Sequence, residues 1–421
     1  MTPLALATQL HLPNGQPNTD LKPNASAFGK LPGDVNITVY HNIVWSKYKG
    51  AVFSALNELT PPPGWSFSFV QIAETEGDRA VLNPVDRRYH RYPFELMFPG
   101  TYDAVPTWRL VWRLTRHVLQ HDADLVVLPG FHRVEYWAML LACIVSGKPR
   151  AVFCDSTRND KPRLYSKRLL KRIFFGLCDG YFGYGQRSAE YLLDNGARRD
   201  RIFERCQAAA LPVGFDAATA LAQRIEARRQ HRDARFVFVG RLSPEKNLGT
   251  LLKAFAQFRA QRHTGTLALV GAGPARAALE AQAAELGLGS SVEFLGAMDL
   301  DAVTAQYARA LCMVLPSTSE PWGLVVNEAL HYGCPVLVSE ACGCRPELVI
   351  DGITGYAFEA TNVAQLAQRM GLAMDNFRDE AAVAARCQQH IDSFSPVHAA
   401  AQIMAGCMHI VKAQQPPRRR A

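Results

Sequence analysis

No apolar run in this 421-residue sequence approaches the roughly 20 residues needed to cross a bilayer. Met1 to Leu12 lacks a basic n-region and a long apolar core, so no secretory leader is expected. Ten cysteines occur, yet Cys342 and Cys344 form the only close pair, and no second pair stands at zinc-site spacing. Most of the thiols sit in apolar runs and read as small core residues of a reduced, cytoplasmic protein. No nucleic-acid-binding module and no internal repeat is visible.

What is present is a globular composition, 48% hydrophobic and 20% charged. The length exceeds one typical core and points to two domains or three. A formal net charge of +8 asks for an anionic partner. Nucleotide diphosphates, anionic lipid surfaces and nucleic acid all qualify on charge, and the missing modules remove the last.

Residues 1–34, rich in Pro, Asn and Gly, read as a flexible extension. Asn36 to Val44 reads as a first strand, Ala51 to Leu59 as a helix after Lys47-Tyr48-Lys49-Gly50, and Trp65 to Ile72 as a second strand. Thr107 to Gln120 reads as helix, and Leu125 to Leu128 as a buried strand ending in Pro129-Gly130-Phe131-His132. Tyr136 to Val145 reads as helix, and Arg150 to Cys154 as a strand ending in Asp155-Ser156-Thr157. Such alternation implies α/β units with parallel sheet. A first domain is expected over 35–212 and a second over 213–393. Phe394-Ser395-Pro396 opens a last helix through 413, and 414–421 with its Pro-Pro-Arg-Arg-Arg is a loose basic tail.

The chemistry-bearing residues cluster in the second half. Leu311 to Leu315 reads as a strand, followed by Ser317-Thr318-Ser319-Glu320-Pro321-Trp322-Gly323 and an apolar helical run holding Glu328. Seven residues separate the two carboxylates. Free N–H groups of Gly323, Leu324 and Val325 at a helix start suit phosphate oxygens. Glu328 suits ribose hydroxyls and Glu320 suits a sugar. Phe236 to Gly240 reads as a buried strand running into Arg241-Leu242-Ser243-Pro244-Glu245-Lys246-Asn247. Leu267 to Val270 is a strand ending in Gly271-Ala272-Gly273, and Asp351-Gly352-Ile353-Thr354-Gly355-Tyr356 follows further on. Each has a plainer reading when taken alone. Gly271 and Gly273 would mark an ordinary strand–helix turn. Arg241 and Lys246 would be solvated charges, Glu320 a loop carboxylate, and Glu328 a charge favoured by the helix dipole.

Taken together, these four segments resemble glycosyltransferase family 4, the retaining GT-B glycosyltransferases, whose signature is Glu-x7-Glu. The resemblance is close over residues 236–375 and loose in the N-terminal half. It implies a GT-B fold, two Rossmann-like domains facing across a cleft, with a nucleotide-diphosphate sugar bound mainly by the C-terminal domain. It implies that Arg241 and Lys246 hold the donor diphosphate, as a fork-shaped guanidinium and a point-charge ammonium suit two phosphates. It places Glu320, Arg241, Lys246 and Asp155 in catalysis. It places Gly50, Gly271, Gly273, Trp322, Gly323, Leu324, Val325 and Glu328 around the donor. No metal or other cofactor is expected, since fixed cations neutralise the leaving diphosphate. The sequence agrees in lacking a suitable Asp-x-Asp loop; Asp122-Ala123-Asp124 precedes a buried strand and reads as a turn. Retention implies attack by an acceptor hydroxyl on the face from which the phosphate leaves.

The N-terminal half departs from the better-known members. Many carry a His where Asp155 stands. Asp155 could stabilise charge near the anomeric carbon, or only cap the next helical turn. His132 is a second candidate on the acceptor side, with a structural role as its alternative. Lys49 and Gly50 lie where the family has a loop approaching the diphosphate. Gly50 permits close approach, and Lys49 is either an acceptor-side cation or simply solvated.

Tyr165 to Leu177 adds a further partner. At about 100° per residue, Lys167, Arg168, Lys171 and Arg172 share one arc, with Leu169, Leu170, Ile173, Phe174 and Leu177 opposite. The basic arc suits an anionic membrane surface, or it is the solvated side of an ordinary domain helix. The sequence therefore reads as a peripheral cytoplasmic glycosyltransferase acting on a saccharide or lipid-linked acceptor for cell-surface polysaccharide or glycolipid. A GT-B enzyme of other chemistry, such as a sugar-nucleotide epimerase, and a non-catalytic sugar-nucleotide-binding module are the alternatives.

Overall fold

A computed structural model describes residues 34–77, 84–158 and 165–414, the side chains of Tyr165 to Lys167 excepted. The extension over 1–33 and the tail over 415–421 lie outside the described residues, as does the side chain of Lys167.

The first unit is a parallel seven-stranded sheet in the order β3-β2-β1-β4-β5-β6-β7. Its strands are β1 Val35–Ile43, β2 Trp65–Ala73, β3 Phe94–Leu96, β4 Leu125–Leu128, β5 Arg150–Cys154, β6 Gly180–Gly183 and β7 Ile202–Phe203. The second unit is a parallel six-stranded sheet, β10-β9-β8-β11-β12-β13. Its strands are β8 Arg235–Val239, β9 Thr266–Val270, β10 Val292–Gly296, β11 Cys312–Leu315, β12 Val336–Ser339 and β13 Gly355–Phe358. Central strands such as Leu-Val-Val-Leu of β4 and Cys-Met-Val-Leu of β11 are buried at every residue. Continuous apolar runs are what parallel strands covered on both faces require.

Each face of the first sheet has its own core. The helices Thr107–Gln120, Val134–Val145, Tyr165–Gly176 and Gln186–Asp194 cover one face through Leu110, Leu114, Met139, Leu140, Phe174 and Leu192. Helix Lys47–Glu58 covers the other with Val52, Phe53 and Leu56. The final helix Pro396–Gln414 leaves the second unit and packs Ala400, Ile403, Cys407 and Ile410 into that same layer. In the second unit Asp216, Asp299, Asn362 and Asp379 each accept a backbone N–H three residues on, which starts their helices at those positions.

The strand C-termini of the two sheets look toward each other. Tyr184, just after β6, meets Trp322, after β11, edge to face at 6.4 Å. The Gln186 N–H donates to the Glu347 carboxylate, and Arg187 donates to the Glu340 carbonyl. Two Rossmann-like units facing across a cleft constitute the GT-B arrangement. All ten cysteines are buried and free, as the apolar runs around most of them imply.

Candidate active-site cleft

Parallel sheets bind ligands where neighbouring strands send their connections in opposite directions. In the second sheet that point lies between β8 and β11. The loop leaving β8 carries Arg241 and Lys246, and the loop leaving β11 carries Glu320. Asn247 ties the two together. It adopts a left-handed conformation (φ 55°) and donates from Nδ2 to the Pro316 carbonyl at 3.1 Å and the Ala360 carbonyl at 2.7 Å. Thr318 N–H donates back to the Glu245 carbonyl at 2.9 Å.

Within this frame Arg241, Lys246, Glu320, Gly323 and Glu328 share the ends of β8 and β11. Lys246 forms an ion pair with Glu320, both side chains about one-sixth exposed. Arg241 is 67% exposed and, among the described residues, pairs with Glu245 at 3.6 Å. Glu245 is itself held below the usual carboxylate range, chiefly by a hydrogen bond from Ser243 at 2.6 Å. Gly323 starts helix Leu324–His331 at φ 100° and brings no capping side chain. A Cβ there would meet Leu315 Cδ2 at 2.8 Å, so only glycine lets the loop turn this tightly over β11. One turn in, half-buried Glu328 accepts from the Tyr307 hydroxyl at 3.3 Å. Burial pushes its carboxyl up to about 7, against the opposing pull of that bond.

Gly271 and Gly273 have a packing reason as well as a proposed ligand role. A Cβ on Gly271 (φ 137°) would overlap the Gly240 carbonyl, and one on Gly273 would overlap the Leu242 backbone. Leu242 N–H donates to the Ala272 carbonyl at 2.9 Å, and Ala275 N–H to the Leu242 carbonyl at 2.9 Å. The two glycines thus set the position of the Arg241 loop. Trp322 is 3% exposed, its Nε1–H donates to Asn327 Oδ1 at 2.8 Å, and it packs on Tyr184 across the two units. In these contacts it joins the two halves.

On the N-terminal side the switch point falls between β1 and β4. The expected loop at Lys47 to Gly50 is already helix, starting at Lys47 after Ser46. Gly50 lies inside its first turn, where a Cβ would meet the His90 ring at 2.8 Å and the Tyr89 carbonyl at 2.9 Å. Its role in these contacts is close packing against the 87–90 segment. Lys49 is neither solvated nor facing the open cleft. It is 3% exposed, its Nζ lies 4.3 Å from the Phe153 ring centre and 4.9 Å from that of Tyr184, and it has no hydrogen-bond partner among the described residues. Burial lowers its ammonium to about 8, partly offset by Cys206 and Asp155. Asp155 stands exposed just beyond β5, within electrostatic reach of Lys49. His132 is exposed after β4, edge-on to Tyr136 at 5.6 Å.

Several residues near the junction of the units escape a sequence reading. Tyr89 is buried, which raises its phenol pKa; Asp86 adds to the rise, and Tyr332 and Glu328 of the second unit add less. Tyr89 therefore lies within electrostatic reach of the second unit. Glu347 spans the units, and burial raises its carboxyl to about 7, with Glu204 adding and the Gln186 N–H opposing. Only the Rossmann-type loop positions hint at these residues in sequence.

The basic helix differs from expectation in its apolar arc. Phe174 and Phe175 are fully buried, but Leu169, Leu170 and Ile173 are 62%, 54% and 45% exposed. Two phenylalanines suffice to seat this helix, so its other large apolar residues remain in solvent beside Arg168 and Arg172.

Residues 221–388, less than half of the chain, match the family described as glycosyl transferases group 1. An uncharacterized glycosyltransferase of Methanocaldococcus jannaschii is 35% identical over 160 residues, covering 36% of this chain and 40% of that protein. A D-inositol 3-phosphate glycosyltransferase of Mycolicibacterium smegmatis is 31% identical over 174 residues, covering 40% of this chain and 38% of its own length. The chain thus spans about two-fifths of the length of these curated relatives. In structure it resembles Anabaena HepE, crystallised with UDP, at a TM-score of 0.67 and 19% identity, covering 89% of this chain and 100% of that one. This last likeness speaks for the fold.

Proposed function

We propose that this chain is a retaining glycosyltransferase that takes a sugar from a nucleotide-diphosphate donor. The observation that carries the reading is the convergence of Arg241, Lys246, Glu320, the Gly323 helix start and Glu328 on one switch point. The match to group 1 glycosyltransferases over 221–388 covers this same unit. HepE, of the same fold, was crystallised with UDP and with UDP-glucose, which supports a nucleotide-sugar donor.

In this reading the ribose diol hydrogen-bonds Glu328 and the diphosphate lies between Arg241 and the N–H groups of Leu324 and Val325. Lys246 turns from Glu320 to the diphosphate, which frees Glu320 for the sugar. The bond from the anomeric carbon to the phosphate oxygen breaks, and the acceptor oxygen bonds to that carbon on the same face. The acceptor's hydroxyl proton passes to the departing phosphate. Cations already in place stabilise the charge that grows on the leaving group, so this reading needs no metal. Asp155 and His132 lie on the acceptor side, where a saccharide or lipid-linked hydroxyl would enter, for polysaccharide or glycolipid synthesis.

The test is incubation with UDP-, GDP- and dTDP-sugars in the presence of EDTA. Slow release of free sugar and nucleotide from one donor is the expected result. Epimerised sugar nucleotide, binding without turnover, or activity restored only by a divalent cation would each overturn the corresponding part of the proposal.

A further inference from the structure

Large apolar side chains in solvent are not scattered over this protein. Fifteen are exposed among the described residues, and ten of them fall on three helices, Thr107–Gln120, Val134–Val145 and Tyr165–Gly176. All three helices lie on one face of the first sheet. The first packs on the second, and Trp137 of the second meets Phe174 of the third at 5.0 Å. Their outer sides therefore form one continuous surface. Its members include Trp108 at 69%, Trp112 at 57%, Leu141 at 54%, Val145 at 82%, Leu169 at 62% and Leu170 at 54%.

The charge on these helices has one sign. The first carries Arg109, Arg113 and Arg116, and the third Lys167, Arg168, Lys171 and Arg172. The only acid on the three is Glu135, which is buried and accepts from the Tyr102 hydroxyl at 2.6 Å. Arg116 lies 5.3 Å from the Trp112 ring and Arg113 5.0 Å from the Phe98 ring, so cations and indoles share one level. A 670 Å³ recess beside β3 opens between Trp108, Trp112, Arg109 and Arg113, with Glu95, paired to His117 at 3.1 Å, as its one carboxylate.

We infer that this three-helix face docks the protein on an anionic membrane surface. Indoles settle at the headgroup level, aliphatic side chains enter the acyl boundary, and guanidiniums meet lipid phosphates. No helix among the described residues is long and apolar enough to cross a membrane, so the contact is peripheral. The excess of positive charge on the three helices favours an anionic lipid surface over an apolar protein partner. The inference stands apart from the donor chemistry, which belongs to the second unit.

Co-sedimentation with phosphatidylglycerol-containing and with pure phosphatidylcholine vesicles tests it. The wild type should bind the anionic vesicles at low salt and leave them at high salt. Changing Arg109, Arg116, Arg168 and Arg172 to Gln should weaken binding by on the order of a hundredfold. Trp108→Ser with Trp112→Ser should weaken it by about tenfold or more, and the wild type's indole emission should shift to the blue on binding. All six side chains are outside the donor cleft, so nucleotide-induced thermal shifts should be unchanged, which separates failure here from failure of the donor reading. Equal affinity for neutral and anionic vesicles, no vesicle binding, or variants that bind like wild type would overturn the inference. Capture of a protein partner instead of vesicles would do the same.

Discussion

The two sides of the cleft handle a lysine in opposite ways. On the C-terminal side Lys246 is partly exposed and its charge is matched by Glu320. On the N-terminal side Lys49 is sealed between Phe153 and Tyr184 with no carboxylate bonded to it. The first arrangement keeps an ion that, in the proposed function, exchanges partners when a diphosphate arrives. The second keeps an ion at a cost, because ring faces return only part of what water gave. The same residue type therefore sits in a part-exposed loop in one unit and in a packed interior in the other.

The largest expected effect probes how the exposed loop is held. Gly271→Ala should lose more than about 3 kcal/mol of stability, because its Cβ would overlap a backbone carbonyl that cannot turn aside, at a φ that L residues rarely adopt. Urea midpoints should show Gly50→Ala losing less, about 1–3 kcal/mol, since part of its clash is with the His90 ring. Equal losses at the two positions would mean that the β8 and β9 loops are not in contact.

Next, the two lysines should respond with opposite signs. Lys246→Met strands Glu320 in a part-buried site and should cost about 1–3 kcal/mol. Lys49→Met should instead stabilise. Its folded ammonium titrates at about 8 against an ordinary 10.5. Folding therefore disfavours the charged form, most strongly below pH 8, and this penalty fades as pH rises toward 10.5. A gain on the order of 1–3 kcal/mol at pH 7, vanishing near pH 10.5, is the expected pattern in denaturation curves. A loss at pH 7 would show that Lys49 has an anionic partner.

A smaller effect concerns Glu328, raised to about 7 from 4.5. The folded state binds an extra proton between those values, so this group's contribution to stability is lost as pH rises from 4.5 through 7. If ribose hydroxyls bond the ionised carboxylate, nucleotide affinity should move the other way, weakening severalfold from pH 8 to pH 6. Glu328→Gln should bind weakly and nearly independently of pH over that range. An unaltered pH profile in the variant would remove Glu328 from the ribose site.

Much of the second unit was legible because several of its strands, such as β8, β9 and β11, carry short apolar runs followed at once by glycine or proline. Phe236 to Gly240 and Leu311 to Leu315 announce both a strand and the loop that ends it. The backbone contact of Gly271 with Gly240 was not legible, since it depends on how two loops from different strands meet. The first unit was harder. Lys49 lies in a polar-looking tetrapeptide, and nothing local says that Phe153 and Tyr184, over a hundred residues on, will cover it. Periodicity at Tyr165 to Leu177 separates a basic from an apolar arc, but the apolar arc is not the face that packs. Phe174 and Phe175 reach the sheet, and Leu169, Leu170 and Ile173 do not. Contacts between the units, such as Gln186 with Glu347 and Tyr184 with Trp322, join segments too distant in sequence to be read from it.

Arg241 offers the most direct test of the donor site, because its exposure means that removing it leaves the fold undisturbed. Calorimetric titration of UDP, GDP and dTDP into wild type and Arg241→Ala, with urea midpoints in parallel, is the measurement. The account predicts that wild type binds one nucleoside diphosphate, that Arg241→Ala binds it about tenfold or more weakly, and that the midpoints agree within about 0.5 kcal/mol. Binding of equal strength in the two proteins, or no binding of any of the three by the wild type, would contradict a diphosphate site at the junction of β8 and β11.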